Sequence, residues 1–168
     1  MSTNGMPLEG AGVEKQLFRQ VCGRFACGIT VITVKDEAGA VHGMTANSFT
    51  SVSLNPPLVL VCIDHRAKVL QHFRHSTHFG INVLSEHQRA LSERFAGTGY
   101  DRFAGVDWHP GQTGVPLITG VLGALECTRV KLVAAGDHDI LIGRVVHAQC
   151  HEGEPLIYFA SQYRRLSK

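Results

Sequence analysis

The chain lacks the marks of several common chemistries. No two of its cysteines are spaced C-x-x-C, and the five present, Cys22, Cys27, Cys62, Cys127 and Cys150, are scattered and odd in number. A disulfide framework or a thiolate metal knuckle is therefore not indicated, and buried reduced thiols are the expectation. There is no basic block, and the formal net charge is only +2, so no polyanion surface is expected. No apolar run reaches membrane-spanning length. The G-x-G-x-x-G fingerprint is missing: Gly97-Thr98-Gly99 begins one, but position 102 is Arg and no strand precedes it. The phosphate loop G-x-x-x-x-G-K-[ST] and the nucleophile elbow G-x-S-x-G are absent too. Residues 1–12 have neither a basic nor an apolar leader segment, and they are expected to be a flexible tail before a single domain over residues 13–168. A soluble, cytoplasmic protein that contacts neither nucleic acid nor membrane is the expectation.

What is present is a strand-rich pattern with short helices. Glu14–Ala26 spaces Leu17, Phe18, Val21 and Phe25 on one helical face. Strands are expected at Ile29–Lys35, Val41–Ala46, Leu58–Ile63, Phe79–Leu84, Leu122–Val133, Ile140–Cys150 and Pro155–Ala160. Ala67–Arg74 and Glu86–Phe95 read as helices, and Ala96–Pro116, with five glycines and two prolines, as a long loop of the kind that carries function. This arrangement favours a barrel over a doubly wound sheet.

Three features could carry chemistry. Between His42 and Asp64 there is no charged residue, while Thr45, Asn47, Ser48, Thr50, Ser51 and Ser53 crowd together ahead of the apolar run after Pro57. Such a neutral hydrogen-bonding wall can hold a flat polar ligand, or it can be a structural edge strand. His72, His75 and His78 invite a metal, but no carboxylate lies among them and a solvated helix face is the better reading, so no metal is expected. His138 lies in Gly136-Asp137-His138-Asp139, read either as a plain hairpin turn or as an imidazole facing a ligand at a strand end.

Seven segments occur in one order: Phe25–Val34, Gly43–Leu54, Pro56–Val61, Arg94–Phe95, Phe103–Trp108, Gly136–His138 and Pro155–Tyr163. Together they closely resemble the short-chain flavin reductase family, the reductase components of two-component flavin-dependent monooxygenases. The resemblance implies a mainly β, six-stranded FMN-binding split barrel that forms a homodimer. It implies reduction of FMN or FAD by NADH, in preference to NADPH because no arginine cluster reads a 2′-phosphate, and release of reduced flavin to a partner monooxygenase. It assigns flavin contacts to Thr45, Ala46, Asn47, Ser48, Cys62, Ile63, Asp64, Lys68, Arg94 and Phe95. The nicotinamide side falls to Gly136, Asp137, His138, Tyr158, Phe159, Ala160, Ser161 and Tyr163, with His138 positioning nicotinamide or donating a proton. Many relatives have a serine or threonine pair where this chain has Arg66-Ala67-Lys68-Val69, whose cations suit a phosphate dianion. A split-barrel flavoprotein oxidase, as pyridoxamine phosphate oxidases are, and a flavin- or haem-binding module without turnover are the other readings. Hydride transfer needs no protein nucleophile, in keeping with the missing motifs.

Overall fold

The computed structural model describes residues 12–99 and 101–166. The expected tail lies outside the described residues, apart from Gly12. Strands dominate, as expected: β1 (Cys27–Gly28), β2 (Thr30–Lys35), β3 (Val41–Ala46), β4 (Thr50–Leu54), β5 (Pro57–Asp64), β6 (His78–Val83), β7 (Trp108–Pro110), β8 (Pro116–Ile118), β9 (Gly123–Ala135), β10 (His138–Cys150), β11 (Ile157–Phe159) and β12 (Gln162–Arg164). The helices are α1 (Lys15–Cys22), α2 (Leu70–His75) and α3 (Arg89–Ala96), the last entered through a 3-10 turn at Glu86–Gln88.

The main sheet is antiparallel and has seven strands in the order β3-β2-β6-β9-β10-β5-β4. The strand beyond the expected six is β4, so the second half of the hydroxyl-rich run is an exposed edge strand. The Thr50 and Ser51 hydroxyls are exposed to water, and the Ser53 hydroxyl donates to the Pro56 carbonyl. The sheet curls until β3 meets β5. Ser48, just past β3, donates to the Cys62 carbonyl at 3.1 Å and accepts from the Cys62 amide at 2.9 Å, joining the two sides. Register shifts at Ile142/Gly143 and Val145/His147 bend the long β9–β10 hairpin, and bulges of this kind supply curvature.

Two cores meet at strand β2. Ile32, Val34, Val61, Ile63, Phe73, Phe79, Ile81 and Leu141 fill the barrel. Val31, Leu84, Phe95, Phe103, Leu117 and Leu156 pack outside the sheet, under α3 and the loop after it. Strand β2 lies between them with Thr30–Val34 all buried, which is why its sequence is β-branched throughout instead of alternating. Strand β5 does alternate: Val59, Val61 and Ile63 face the core, whereas Cys62 and Asp64 lie on the opposite face.

Several boundaries differ from expectation. The long loop contains β7 and ends where β8 begins, both too short and too rich in proline to carry a strand signal. Strands β9 and β10 run on to a two-residue turn at Gly136-Asp137, so His138 is a strand residue paired with Asp64 and not a turn residue. Pro155–Ala160 is not one strand but the first half of a hairpin whose turn is Ala160-Ser161, at φ of 49° and 62°. Non-glycine residues in that region each cost about 1–2 kcal/mol. Part of that is offset where the Ala160 amide donates to the Gly23 carbonyl at 2.8 Å. Helix α1 is shorter than Glu14–Ala26: Glu14 caps it, accepting from the amides of Gln16 and Leu17. Its apolar face is left largely open by the described residues, with Leu17, Phe18 and Val21 exposed.

Candidate functional site

A cleft of about 680 Å³ opens between β3, the segment leading from β5 into α2, and the loop after α3. Its size is that of a site for a cofactor-sized ligand. Four of the expected flavin residues line it: Thr45, Asp64, Lys68 and Phe95. The others stand at different depths. Ala46 and Ile63 are buried in the barrel, so only their backbones can meet a ligand. Asn47 is exposed. Ser48 and Cys62 form the barrel seam. Arg94 turns away from the cleft and donates to the Ala104 carbonyl at 2.6 Å, holding the following loop.

The β3 wall is neutral and firmly held. Thr45 donates its hydroxyl to the Ser92 carbonyl at 2.6 Å, and the Ser92 hydroxyl bonds the Tyr163 phenol at 2.9 Å. The expected nicotinamide wall thus joins the cleft through α3, with Tyr158 and Tyr163 edge-to-face at 5.3 Å and Arg89 over the Tyr163 ring. Neither Tyr158, Phe159, Ala160, Ser161 nor Tyr163 lines the cleft itself. Gly43 forms the floor, where an added Cβ would come 2.8 Å from the Phe95 ring.

His138 does not line the cleft, nor do Gly136 and Asp137, but it stands beside Asp64, which does. It faces Asp64 across the β5–β10 register, and its Nδ1 lies 2.7 Å from Asp137 Oδ1. Arg66 grips Asp64 with Nη2 at 2.6 Å from Oδ2, and this bond holds the Asp64 carboxyl well below the usual range. The Asp137 carboxyl is also lowered, first by its bond to His138. Next in the chain, Asp139 accepts from Arg74 at 2.8 Å and pairs with His65 at 2.8 Å; the Arg74 bond, then that of His65, lowers its pKa.

The opposite wall holds a residue that the sequence did not single out. Arg102 donates from Nη1 to the Gly43 carbonyl at 2.7 Å and from Nη2 to the Gly97 carbonyl at 2.5 Å. Its Nε is the one buried side-chain polar atom without a hydrogen-bond partner among the described residues. Burial lowers the pKa of this guanidinium, yet it stays charged at any working pH. The only available signal was an arginine inside a glycine-rich loop, noted as the residue that breaks a fingerprint.

At the far end of the cleft stands His42, which the sequence did not single out, with His72, which it grouped with His75 and His78. His42 and His72 stack with ring centroids 3.5 Å apart, beside Asp36. His72 therefore keeps company with His42 and Asp36, not with His75 and His78.

Among the described residues, the lining contains no serine or cysteine. Cys127 is buried, its thiol pushed up to about 12, chiefly by burial. The cleft does fit a flavin, with a neutral wall on one side, Lys68 and Arg102 for an anionic tail, and an unmet buried N–H donor.

A model described as a flavin reductase like domain matches residues 22–167. The chain is 46% identical over 132 residues to a probable flavin reductase of Rhizobium meliloti, covering 79% of this chain but 42% of that protein, so it spans less than half of that relative. It is 43% identical to an NADH-dependent flavin reductase of a Rhodococcus species, covering 88% of this chain and 84% of the relative. The NADH:FAD oxidoreductase of Streptomyces globisporus, solved with NAD and FAD fragments, superposes with a TM-score of 0.87 at 38% identity, over 92% of this chain and 93% of that one. Barrel, cleft and these matches agree, and the chain belongs to the flavin reductase-like domain family.

Proposed function

We propose that this protein is an NADH-dependent flavin reductase that hands reduced FMN or FAD to a flavin-dependent monooxygenase. The observation that carries the proposal is the cleft, in which a neutral strand wall faces an arginine with an unmet buried N–H. When bound there, the flavin supplies the hydride-accepting chemistry. Everything else is binding and orientation. Lys68 and Arg102 hold the phosphate, and the backbone of residues 45–48 with Asp64 meets the ring edge and ribityl chain. The Ser48 hydrogen is already committed to Cys62, so that residue offers its amide or its remaining lone pair. His138, fixed by Asp137, positions the nicotinamide carboxamide beside Asp64, against the wall of Tyr158–Ser161 and Tyr163. Neutral contacts outnumber ionic ones, which suits a flavin that must leave.

Residues 13–168 act as one domain in this reading. The protein works as a homodimer, in which a second copy covers the apolar face of α1, Phe25 at 78% exposure, and Leu54 at 94%. A monomeric mass by light scattering at micromolar concentration would sink that assignment. A cytoplasmic setting suits five free cysteines and an NADH supply. No helix among the described residues is long and apolar enough to cross a membrane.

The decisive experiment is anaerobic. Purified protein is mixed with NADH and excess FMN or FAD, and flavin absorbance is followed. Bleaching of many equivalents supports the reductase. A single slow equivalent means a flavoprotein oxidase, and none means a binding module. His138→Ala should raise the NADH Michaelis constant roughly three- to tenfold, the worth of one hydrogen bond of about 0.5–1.5 kcal/mol. A far larger fall in the maximal rate would make His138 a proton donor instead.

A further inference from the structure

We infer that Asp36, His42 and His72 form a binding site for one first-row divalent cation, zinc above all. The three residues come from separate elements: Asp36 follows β2, His42 lies in β3 and His72 in α2. Their candidate ligand atoms all lie within 4.8 Å of one another. Asp36 Oδ2 is 2.7 Å from His42 Nε2 and 3.7 Å from His72 Nδ1. Ligands of a tetrahedral zinc, each about 2.0–2.2 Å from the ion, sit roughly 3.3 Å apart. One separation must therefore open, and the other close, by a few tenths of an ångström. The stacked rings, now 9° from parallel, would splay to aim both nitrogens at the ion. Losing that stack makes the site weaker than a closed four-ligand centre.

The surroundings already orient the set. Asp36 Oδ1 accepts from the Ala40 amide at 2.8 Å, which presents Oδ2 to the histidines. The Gln71 side-chain amide lies 3.4 Å from His72 Nε2. With its oxygen turned to that nitrogen it accepts Nε2–H and leaves Nδ1 as the ligating lone pair. All three side chains are only 22–25% exposed, so the site is partly desolvated. His42 and His72 line the cleft, so the fourth coordination position opens into it for water. A bound ion would tie α2 to the β2–β3 hairpin at the cleft's far end. Nothing in this site depends on the reductase reading.

The test uses tag-free full-length protein, stripped with a chelator and titrated with Co²⁺ and Zn²⁺. One equivalent of Co²⁺ should give the visible bands of a four-coordinate nitrogen–oxygen site, and Zn²⁺ should displace it. Asp36→Asn and His72→Gln should each weaken binding about tenfold or more. Substituting His87 or Cys150, both exposed and outside the set, should change nothing. Circular dichroism checks that each variant is folded, and His72→Gln, on a helix surface, covers the case in which Asp36→Asn loosens the hairpin. Absence of binding at millimolar Co²⁺, or unchanged affinity in both variants, overturns the site. The cluster would then be a hydrogen-bonded trio and nothing more. NADH-driven flavin bleaching by the same variants without metal is read separately, so the two conclusions fail independently.

Discussion

The two walls of the cleft use their polar groups in opposite ways. On the sheet side the hydroxyls are committed to the chain: Thr45 to the Ser92 carbonyl, Ser48 to both backbone groups of Cys62. On the loop side Arg102 satisfies two carbonyls and keeps one buried N–H unmet. The hydroxyl-dense run is where the barrel is fastened. The side-chain donor that finds no partner among the described residues sits in a glycine-rich loop.

Arg102→Met offers the largest effect and the sharpest test of this contrast. Losing hydrogen bonds from a charged donor costs about 1.5–3 kcal/mol each, so flavin affinity should fall tenfold or more by titration. Unchanged affinity would mean that the unmet donor serves no ligand. Gly43→Ala comes next. Its Cβ would press on the Phe95 ring at 2.8 Å and on the Ile32 carbonyl at 3.0 Å, and backbone cannot yield cheaply. A loss of about 1–3 kcal/mol is expected by thermal or denaturant unfolding. Ser48→Ala should cost stability by about 1 kcal/mol, because the Cys62 amide and carbonyl lose their partner. If it weakens flavin binding more than Arg102→Met does, the two walls have been read the wrong way round.

The smallest effect is electrostatic. Asp139, held by Arg74 and His65, has a lowered pKa in the folded state. Its contribution is complete above the unfolded value of about 3.9 and fades as pH falls through the lower folded value. Asp139→Asn should therefore flatten the acid limb of a stability-against-pH curve below about pH 4. An acid limb identical to that of the parent protein would show that Arg74 and His65 add nothing there.

The strands were legible because their patterns answer to local burial. ITVITV in β2 is unbroken since both of its faces are covered, and β5 alternates since only one is. The apolar face of α1 was equally legible, but the described residues leave it exposed. Family resemblance placed Thr45, Asp64, Lys68 and Phe95 on the cleft, and residue chemistry alone would not have done so. Arg102 was illegible because its role depends on the Gly43 carbonyl, 59 residues away in sequence. The grouping of His72 with Asp36 and His42 was illegible for the same reason. Only the hairpin and α2 together make them neighbours, whereas the eye follows the even spacing of His72, His75 and His78.

Strand β2 belongs to the barrel and to the outer layer at once. Neither core can come apart while the other stays whole, because each would have to surrender the same strand. Slow openings that expose the amides of Val31 to Val34 must then be openings of the entire molecule, and their exchange with solvent reports its global stability. The cleft floor at Gly43 pairs with Thr33 of this strand, so the binding surface rests on the part of the chain that yields last.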